Sequence, residues 1–120
     1  MTMTSTENAF DWAQLPPVVG NYLRAHVAQD FSTAVTYLAD DATVIDNGET
    51  LRGREETLKL FNESAERYEV TTTLDSISTP ADDVWQVDTH LSGNFPGGEV
   101  DLKMIFTLRD TVIQRLEITV

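Results

Sequence analysis

The chain has 120 residues, of which 41% are hydrophobic, and this length suits one compact core. It carries 20 acidic and 8 basic residues, and the formal charge of -12 excludes polyanions such as DNA, RNA and anionic membrane surfaces as partners. The absence of cysteine excludes disulfides, thiolate nucleophiles and thiolate metal ligands.

The start of the chain, MTMTSTENAF, has neither the basic end nor the apolar centre of a signal peptide. No apolar run reaches the length of a membrane-spanning helix. We therefore expect a cytoplasmic protein. Residues 1–7 are polar and without an apolar period, which predicts a disordered tail followed by a single domain over residues 8–120.

The first third of the chain has helical periodicity. One apolar stripe begins at Leu15, and Pro16 and Pro17 suit the first turn of that helix. Asp30 suits the N-cap of a second, short helix. The stripe of the first helix consists of Leu15, Val19, Tyr22 and His26, and the buried face of the second consists of Phe31, Ala34, Val35 and Leu38. Asp40 and Asp41 then follow the second helix, where we expect a turn with side-chain bonds to the local backbone.

After Thr43 the pattern changes to β-branched residues. The segment Asp46-Asn47-Gly48-Glu49 is typical of a hairpin turn between two short strands, and Arg54–Glu66 predicts a third amphipathic helix. The remaining sequence predicts a run of strands separated by turns. These strands are Glu69–Thr79, Val84–Ser92, Val100–Arg109 and Val112–Thr119. The order predicts an α+β fold with a curved antiparallel sheet packed on three N-terminal helices.

Alternation assigns a buried and an outer face to the strands. In the strand that begins at Val100 the even-numbered residues are apolar, whereas Ile105 lies on the opposite, mixed face. His90 also falls on the outer face and points away from any enclosed pocket. Because Ile105 and Val112 add apolar surface to the outer side, we expect homodimerisation between sheets.

The arrangement resembles the nuclear transport factor 2-like superfamily, the cone-shaped α+β roll of ketosteroid isomerases and SnoaL-like polyketide cyclases. The resemblance covers nearly the whole chain. It rests on Tyr22, on the segment YLADDATVID from Tyr37 to Asp46, on Leu51–Glu55, and on the ending SGNFPGGEVDLKMIFTLRDTVIQRLEI. It implies a pocket between the helices and the inner face of the sheet.

The same resemblance implies catalytic roles for two residues. Asp46 matches the aspartate that abstracts a proton in ketosteroid isomerases, and Tyr22 matches the tyrosine that polarises the substrate oxygen. A carboxylate in an apolar cavity has a raised pKa and is a better base, while a phenol stabilises a developing enolate. Alternatively, Asp46 is an ordinary hairpin aspartate that bonds the Gly48 amide, and Tyr22 is a core aromatic.

The sequence departs from that family at the second oxyanion donor. Met104 matches the position of a protonated aspartate there, or Ile105 if the register shifts by one, and neither side chain donates a hydrogen bond. His26 is one helical turn after Tyr22 and could assist as a donor or proton relay, or else be a hydrogen-bonded core residue. No other histidine shares its face, and no residue spacing predicts a metal site.

We therefore predict a cofactor-independent isomerase or cyclase-type lyase that acts on a small apolar carbonyl compound. Asp46, Tyr22 and His26 are the predicted catalytic residues. The predicted cavity walls, which could equally be core, are Trp12, Val19, Tyr37, Phe61, Trp85, Leu102, Met104 and Phe106. The alternative is a non-catalytic ligand-binding or dimerisation module, because a fold alone does not determine a function.

Overall fold

The computed structural model describes residues 10–120. Three α-helices occur, α1 (Pro17–Val27), α2 (Phe31–Ala34) and α3 (Gly53–Arg67). Six strands follow or separate them, β1 (Leu38–Asp46), β2 (Glu49–Arg52), β3 (Val70–Ala81), β4 (Val84–Gly93), β5 (Glu99–Arg109) and β6 (Val112–Thr119). The predicted tail over residues 1–7 lies outside the described residues. The α+β class and the packing of helices on a curved sheet are confirmed.

The sheet order is β2-β1-β6-β5-β4-β3. Neighbouring strands are antiparallel except β1 and β6, which are parallel. The prediction of a purely antiparallel sheet is therefore wrong for this pair. The connection from β1 to β6 passes through α3 and four other strands, so this pairing depends on long-range packing and leaves no mark in the local alternation.

Helix α1 begins two residues later than its apolar stripe. Pro17 occupies its first turn, and a short 3-10 helix, Trp12–Gln14, precedes it. Asp30 caps α2 as predicted, with its carboxylate accepting a hydrogen bond from the Thr33 amide at 3.4 Å. This bond holds the pKa of Asp30 below its ordinary value. No helix among residues 10–120 combines the length and the apolar character that crossing a bilayer requires.

The prediction of a turn at Asp40 and Asp41 is wrong, because both residues lie within β1. Their carboxylates bond distant side chains and not the local backbone. Asp40 pairs with the Arg54 guanidinium at 2.8 Å, and Asp41 accepts from the Gln114 amide at 3.1 Å. Arg54 also donates to the Leu38 carbonyl at 2.8 Å. It therefore fastens the start of α3 to the start of β1.

The buried faces of the strands follow the predicted alternation. Val87 and Thr89 of β4 and Met104 and Phe106 of β5 are buried against the helices. His90 lies on the outer face, where its ring nitrogens contact Asp101 at 2.6 Å and Glu99 at 3.0 Å. The core thus occupies the concave side of the sheet, and the candidate site lies on that side.

Candidate functional site

Asp46 is the last residue of β1 and continues its inward-facing row. Val44 and Ala42, two and four residues earlier, are fully buried, so alternation turns Asp46 to the same side as the core. The turn that follows has Asn47 and Gly48 at φ values of 52° and 90°, as the predicted two-residue hairpin requires. The Asn47 amide donates to the Ile118 carbonyl at 2.8 Å, which fixes this end of β1 on β6.

The environment of Asp46 favours its protonated form. Burial raises the pKa of its carboxyl, and the facing carboxylate of Glu49 raises it further. Within residues 10–120 no hydrogen-bond donor stabilises the Asp46 carboxylate. A carboxylate that has lost hydration and has no donor in exchange is a stronger base than an exposed aspartate.

His26 is the second polar group of the site. Its Nδ1 lies 3.0 Å from the Tyr22 hydroxyl, one turn earlier on α1. The rings of Phe31 and Phe61 each meet it edge to face, with centroids 5.3 Å away. Burial among these groups lowers the pKa of His26 to about 4, so the imidazole is neutral at pH 7.

A neutral His26 accepts at one ring nitrogen and donates at the other. Burial raises the pKa of Tyr22, and the charge of Asp46 raises it further, so the phenol keeps its proton. We assign the donor role to the Tyr22 O–H, because Nδ1 of His26 is its hydrogen-bond partner within residues 10–120, and this assignment leaves the ring proton of His26 on Nε2. A neutral imidazole held in this tautomer presents one N–H donor on the side away from Tyr22.

Tyr22 lies in the core behind the cavity wall, and not at the wall, where the family resemblance places it. Its side chain is fully buried, and its ring meets the edge of Phe106 with centroids 5.6 Å apart. It does not line the cavity that His26 and Asp46 line. The hydroxyl acts on the site through His26, because α1 places the two residues in successive turns of one face.

A cavity of about 330 Å³ lies between the helices and the sheet, and Asp46 and His26 both contribute to its wall. Helix α3 and the residue that follows it provide Phe61, Ser64, Ala65 and Tyr68. The sheet side of the lining consists of Val70, Thr72, Leu91, Val100, Leu102 and Ile118. The wall is mostly apolar, and a bound molecule would shield Asp46 from water.

The structure places two of the eight predicted wall residues at the cavity and the other six elsewhere. Phe61 and Leu102 line the cavity. The other six do not line this cavity: Trp12, Val19, Tyr37, Trp85, Met104 and Phe106. Three of these, Val19, Met104 and Phe106, are core residues that are at most 3% exposed. They face inward as predicted, but neighbouring side chains fill the space beside them.

The remaining three predicted wall residues are aromatic and lie away from this cavity. Trp12 and Tyr37 pack against the core from its periphery, and the Arg24 guanidinium lies 4.0 Å from the Trp12 ring centroid. Trp85 borders a separate pocket of about 350 Å³ beside Pro16. Each side chain belongs to the correct side of the fold, but the cavity occupies only the end of the sheet near Asp46 and the start of β3.

Several lining residues escaped sequence analysis because they lie at element ends. Phe95 is in the β4–β5 turn, and its ring meets Tyr68 edge to face at 6.3 Å. Gly93 allows this turn to approach Glu69, whose carbonyl oxygen would lie 2.1 Å from an added Cβ. The sequence feature that could have indicated Phe95 is an aromatic residue next to the Pro-Gly pair of a turn.

Within residues 10–120, no three His, Cys, Asp or Glu side chains converge as metal ligands would.

Comparison with known structures identifies the fold. A candidate polyketide cyclase from Sinorhizobium meliloti is 29% identical, with a TM-score of 0.84 over 92% of this chain and 100% of that one. A protein of ketosteroid isomerase-like fold from Catenulispora acidiphila, in complex with trimethylamine, is 20% identical. Its TM-score is 0.77 over 89% of this chain and 87% of its own. These structures share the fold of the nuclear transport factor 2-like superfamily with this chain.

A third solved structure with the same fold carries the name of a different activity. An epoxide hydrolase of the LEH-like type from M. tuberculosis is 19% identical, with a TM-score of 0.68 over 87% of this chain and 80% of that one. Matches at 20% identity or below show a shared fold alone. The sequence matches no protein-family model and no curated protein. The predicted resemblance to this superfamily is confirmed.

Proposed function

We propose that this nuclear transport factor 2-like protein is a cofactor-independent isomerase or cyclase-type lyase that acts on a small apolar carbonyl compound. One observation carries the proposal: a desolvated carboxylate, Asp46, and a neutral imidazole, His26, line the same apolar cavity. General acid-base chemistry on a ketone requires one base for the proton and one donor for the oxygen.

The reaction divides between these two side chains. The Asp46 carboxylate removes a proton from the carbon next to the carbonyl and becomes the carboxylic acid. The electron pair of that C–H bond forms a new carbon–carbon double bond, and the π pair of the carbonyl moves to its oxygen. The resulting enolate oxygen accepts a hydrogen bond from Nε2–H of His26. Asp46 then returns the proton to a carbon of the enolate, and the side chain is regenerated.

In this scheme His26 donates the hydrogen bond to the substrate oxygen. Tyr22 positions His26 and does not contact the substrate. The Tyr22 hydroxyl holds Nδ1 of His26 as an acceptor, and this keeps the ring proton on Nε2. The prediction from the family pattern assigned the donor role to Tyr22. The hydrogen bond between the two side chains supports the exchange of roles, since a phenol already committed to Nδ1 cannot also reach a substrate.

Met104 bears on the rate. It is 3% exposed and packs in the core, and the family resemblance matches it, or Ile105 if the register shifts by one, to the second oxyanion donor of ketosteroid isomerases. Loss of one such donor costs about 100- to 1,000-fold in rate. This observation favours the second candidate function, a non-catalytic binding module that holds a small apolar molecule in the same cavity.

Proton exchange distinguishes the two candidates. The wild-type protein is expected to accelerate deuterium incorporation next to the carbonyl of 4-phenylbutan-2-one in D₂O, followed by NMR. Asp46→Asn is expected to lower this acceleration by about 100- to 10,000-fold, because it removes the general base. Asp41→Asn, an exposed change in the same strand, is the matched control. Binding without accelerated exchange in the wild type would establish the binding module, and equal exchange in wild type and Asp46→Asn would eliminate Asp46 as the base.

The proposal includes a homodimer formed through the outer face of the sheet. Ile105 lies on that face between Gln86 of β4 and Glu117 of β6, so it offers an apolar side chain amid polar neighbours. Sedimentation equilibrium of the wild type is expected to give twice the chain mass of 13.4 kDa. Ile105→Glu is expected to give the monomer, and a monomeric wild type would refute this assembly.

A further inference from the structure

The two ends of the cavity differ in chemistry. Asp46 and His26 form one end, on the side of β1. Three strands, β6, β5 and β4, separate β1 from β3, whose Thr72 contributes to the opposite end. Tyr68 and Gln29 also lie at the β3 end, where the Gln29 amide contacts the Val70 carbonyl at 3.5 Å. The cavity therefore has an acid-base end and an end of uncharged hydrogen-bonding groups.

The middle of the cavity has no polar group on its sheet side. Leu91 and Val100 are cross-strand partners on β4 and β5, and Leu91 also pairs with Thr72 on β3. Leu102 and Ile118 continue this apolar surface towards Asp46. A molecule that reaches from one end to the other must have an apolar body in between, because a polar group there would lose hydration without a partner.

The lining from residues 10–120 contains one carboxylate and no lysine or arginine. An anionic ligand would therefore lose hydration in the cavity without gaining a counter-charge, in a protein of net charge -12. Within the same part of the chain, no hydrogen bond occupies the hydroxyls of Tyr68 and Thr72, which remain available to a neutral partner.

We propose that the substrate is an elongated, uncharged molecule with its reacting carbonyl at the Asp46 end and a second neutral hydrogen-bonding group, a hydroxyl or phenol, at the Tyr68–Thr72 end. The assignment of the reacting group to the Asp46 end rests on the proposed function. The requirement for a second neutral polar group rests on the opposite end of the cavity alone.

Three ketones of one scaffold test this requirement. They are 4-phenylbutan-2-one, its para-hydroxy derivative 4-(4-hydroxyphenyl)butan-2-one, and the para-carboxylate 4-(3-oxobutyl)benzoate. Affinities are measured by calorimetric or NMR titration in Asp46→Asn, so that no turnover contributes. The para-hydroxyl is expected to tighten binding about 3- to 10-fold, as one added hydrogen bond does. The para-carboxylate is expected to bind at least tenfold more weakly than the parent ketone.

The double variant Tyr68→Phe/Thr72→Val removes two hydroxyls and retains nearly the same shape. It is expected to abolish the advantage of the para-hydroxyl and to leave the affinity for 4-phenylbutan-2-one unchanged. Thr73→Val, at an exposed neighbouring position of β3, is the matched control and is expected to keep the advantage. An unchanged advantage in the double variant would overturn the proposal, as would tighter binding of the carboxylate or no binding of any ketone at millimolar concentration. Failure of proton exchange alone would refute the reaction and leave this selectivity standing.

Discussion

The hydrogen bond between Tyr22 and His26 provides the sharpest test of the candidate site. Tyr22→Phe removes a single oxygen from a fully buried side chain and retains the ring that packs on Phe106. Nδ1 of His26 is then buried without the donor that lies 3.0 Å away in the wild type. An unsatisfied buried acceptor costs about 1–3 kcal/mol, which for a chain of this size lowers Tm by about 4–12 °C.

The change is also expected to alter the tautomer of His26. Without the Tyr22 hydroxyl, nothing at Nδ1 keeps the ring proton on Nε2, so the other neutral tautomer becomes populated. A ring with its proton on Nδ1 accepts at Nε2 and cannot stabilise an enolate. Proton exchange of 4-phenylbutan-2-one is therefore expected to fall by about 100- to 1,000-fold, comparable to the loss of an oxyanion donor.

Two measurements separate this reasoning from a general loss of stability. Nitrogen-15 NMR of the histidine ring reports which nitrogen carries the proton, and exchange assays well below Tm report the rate. Tyr37→Phe removes a hydroxyl from a partly buried tyrosine outside the cavity and is expected to change neither. If Tyr22→Phe left exchange within twofold of wild type and Nε2 still protonated, the positioning role of Tyr22 would be refuted.

Three further predictions concern titration and backbone strain. The two histidines are expected to titrate on opposite sides of 6.5 in proton NMR, because burial lowers the pKa of His26 to about 4, whereas hydrogen bonds to Asp101 and Glu99 raise the pKa of His90. Because the pKa of His26 is lowered in the folded state, the unfolded chain takes up this proton first as pH falls. The free energy of unfolding is therefore expected to fall by about 3 kcal/mol between pH 6.5 and pH 4, and urea unfolding of wild type and His26→Gln measures this loss. Thr111→Gly is expected to raise the free energy of unfolding by about 1 kcal/mol, because a β-branched residue there adopts a φ of 66°; a loss of stability would contradict the assigned strain. Gly93→Ala is expected to lower it by about 2 kcal/mol or more, because the added Cβ would lie 2.1 Å from the Glu69 carbonyl oxygen; equal stability in the same urea assay would show that the turn can yield.

The order of helices and strands could be predicted from the sequence because each depends on local periodicity. The hairpin at Asn47-Gly48 adopts the backbone that its residues favour, and the strand from Val112 to Thr119 has the predicted bounds. Alternation likewise assigned the inward face of β5, where Met104 and Phe106 are buried. These features depend on contacts between residues close in the chain.

The functional roles required more than the local pattern. Asp46 and Tyr22 could be chosen from the family resemblance and His26 from its spacing one turn after Tyr22, but which of the two helix residues faces the cavity depends on how α1 packs against β5. That packing buries the Tyr22 ring against Phe106 and leaves His26 at the cavity wall. The order of the two residues along the helix does not reveal which one the packing leaves at the wall.

The sequence by itself determined the fold class, the hairpin turn at Asn47-Gly48 and the inward faces of β4 and β5, because backbone preference and hydrophobic period act over a few residues. Only the tertiary structure decided that β1 runs parallel to β6, that Asp40 pairs with Arg54, and that Phe95 joins the cavity. Each of these contacts joins segments far apart in the chain, and their meeting depends on how the curved sheet closes over the helices.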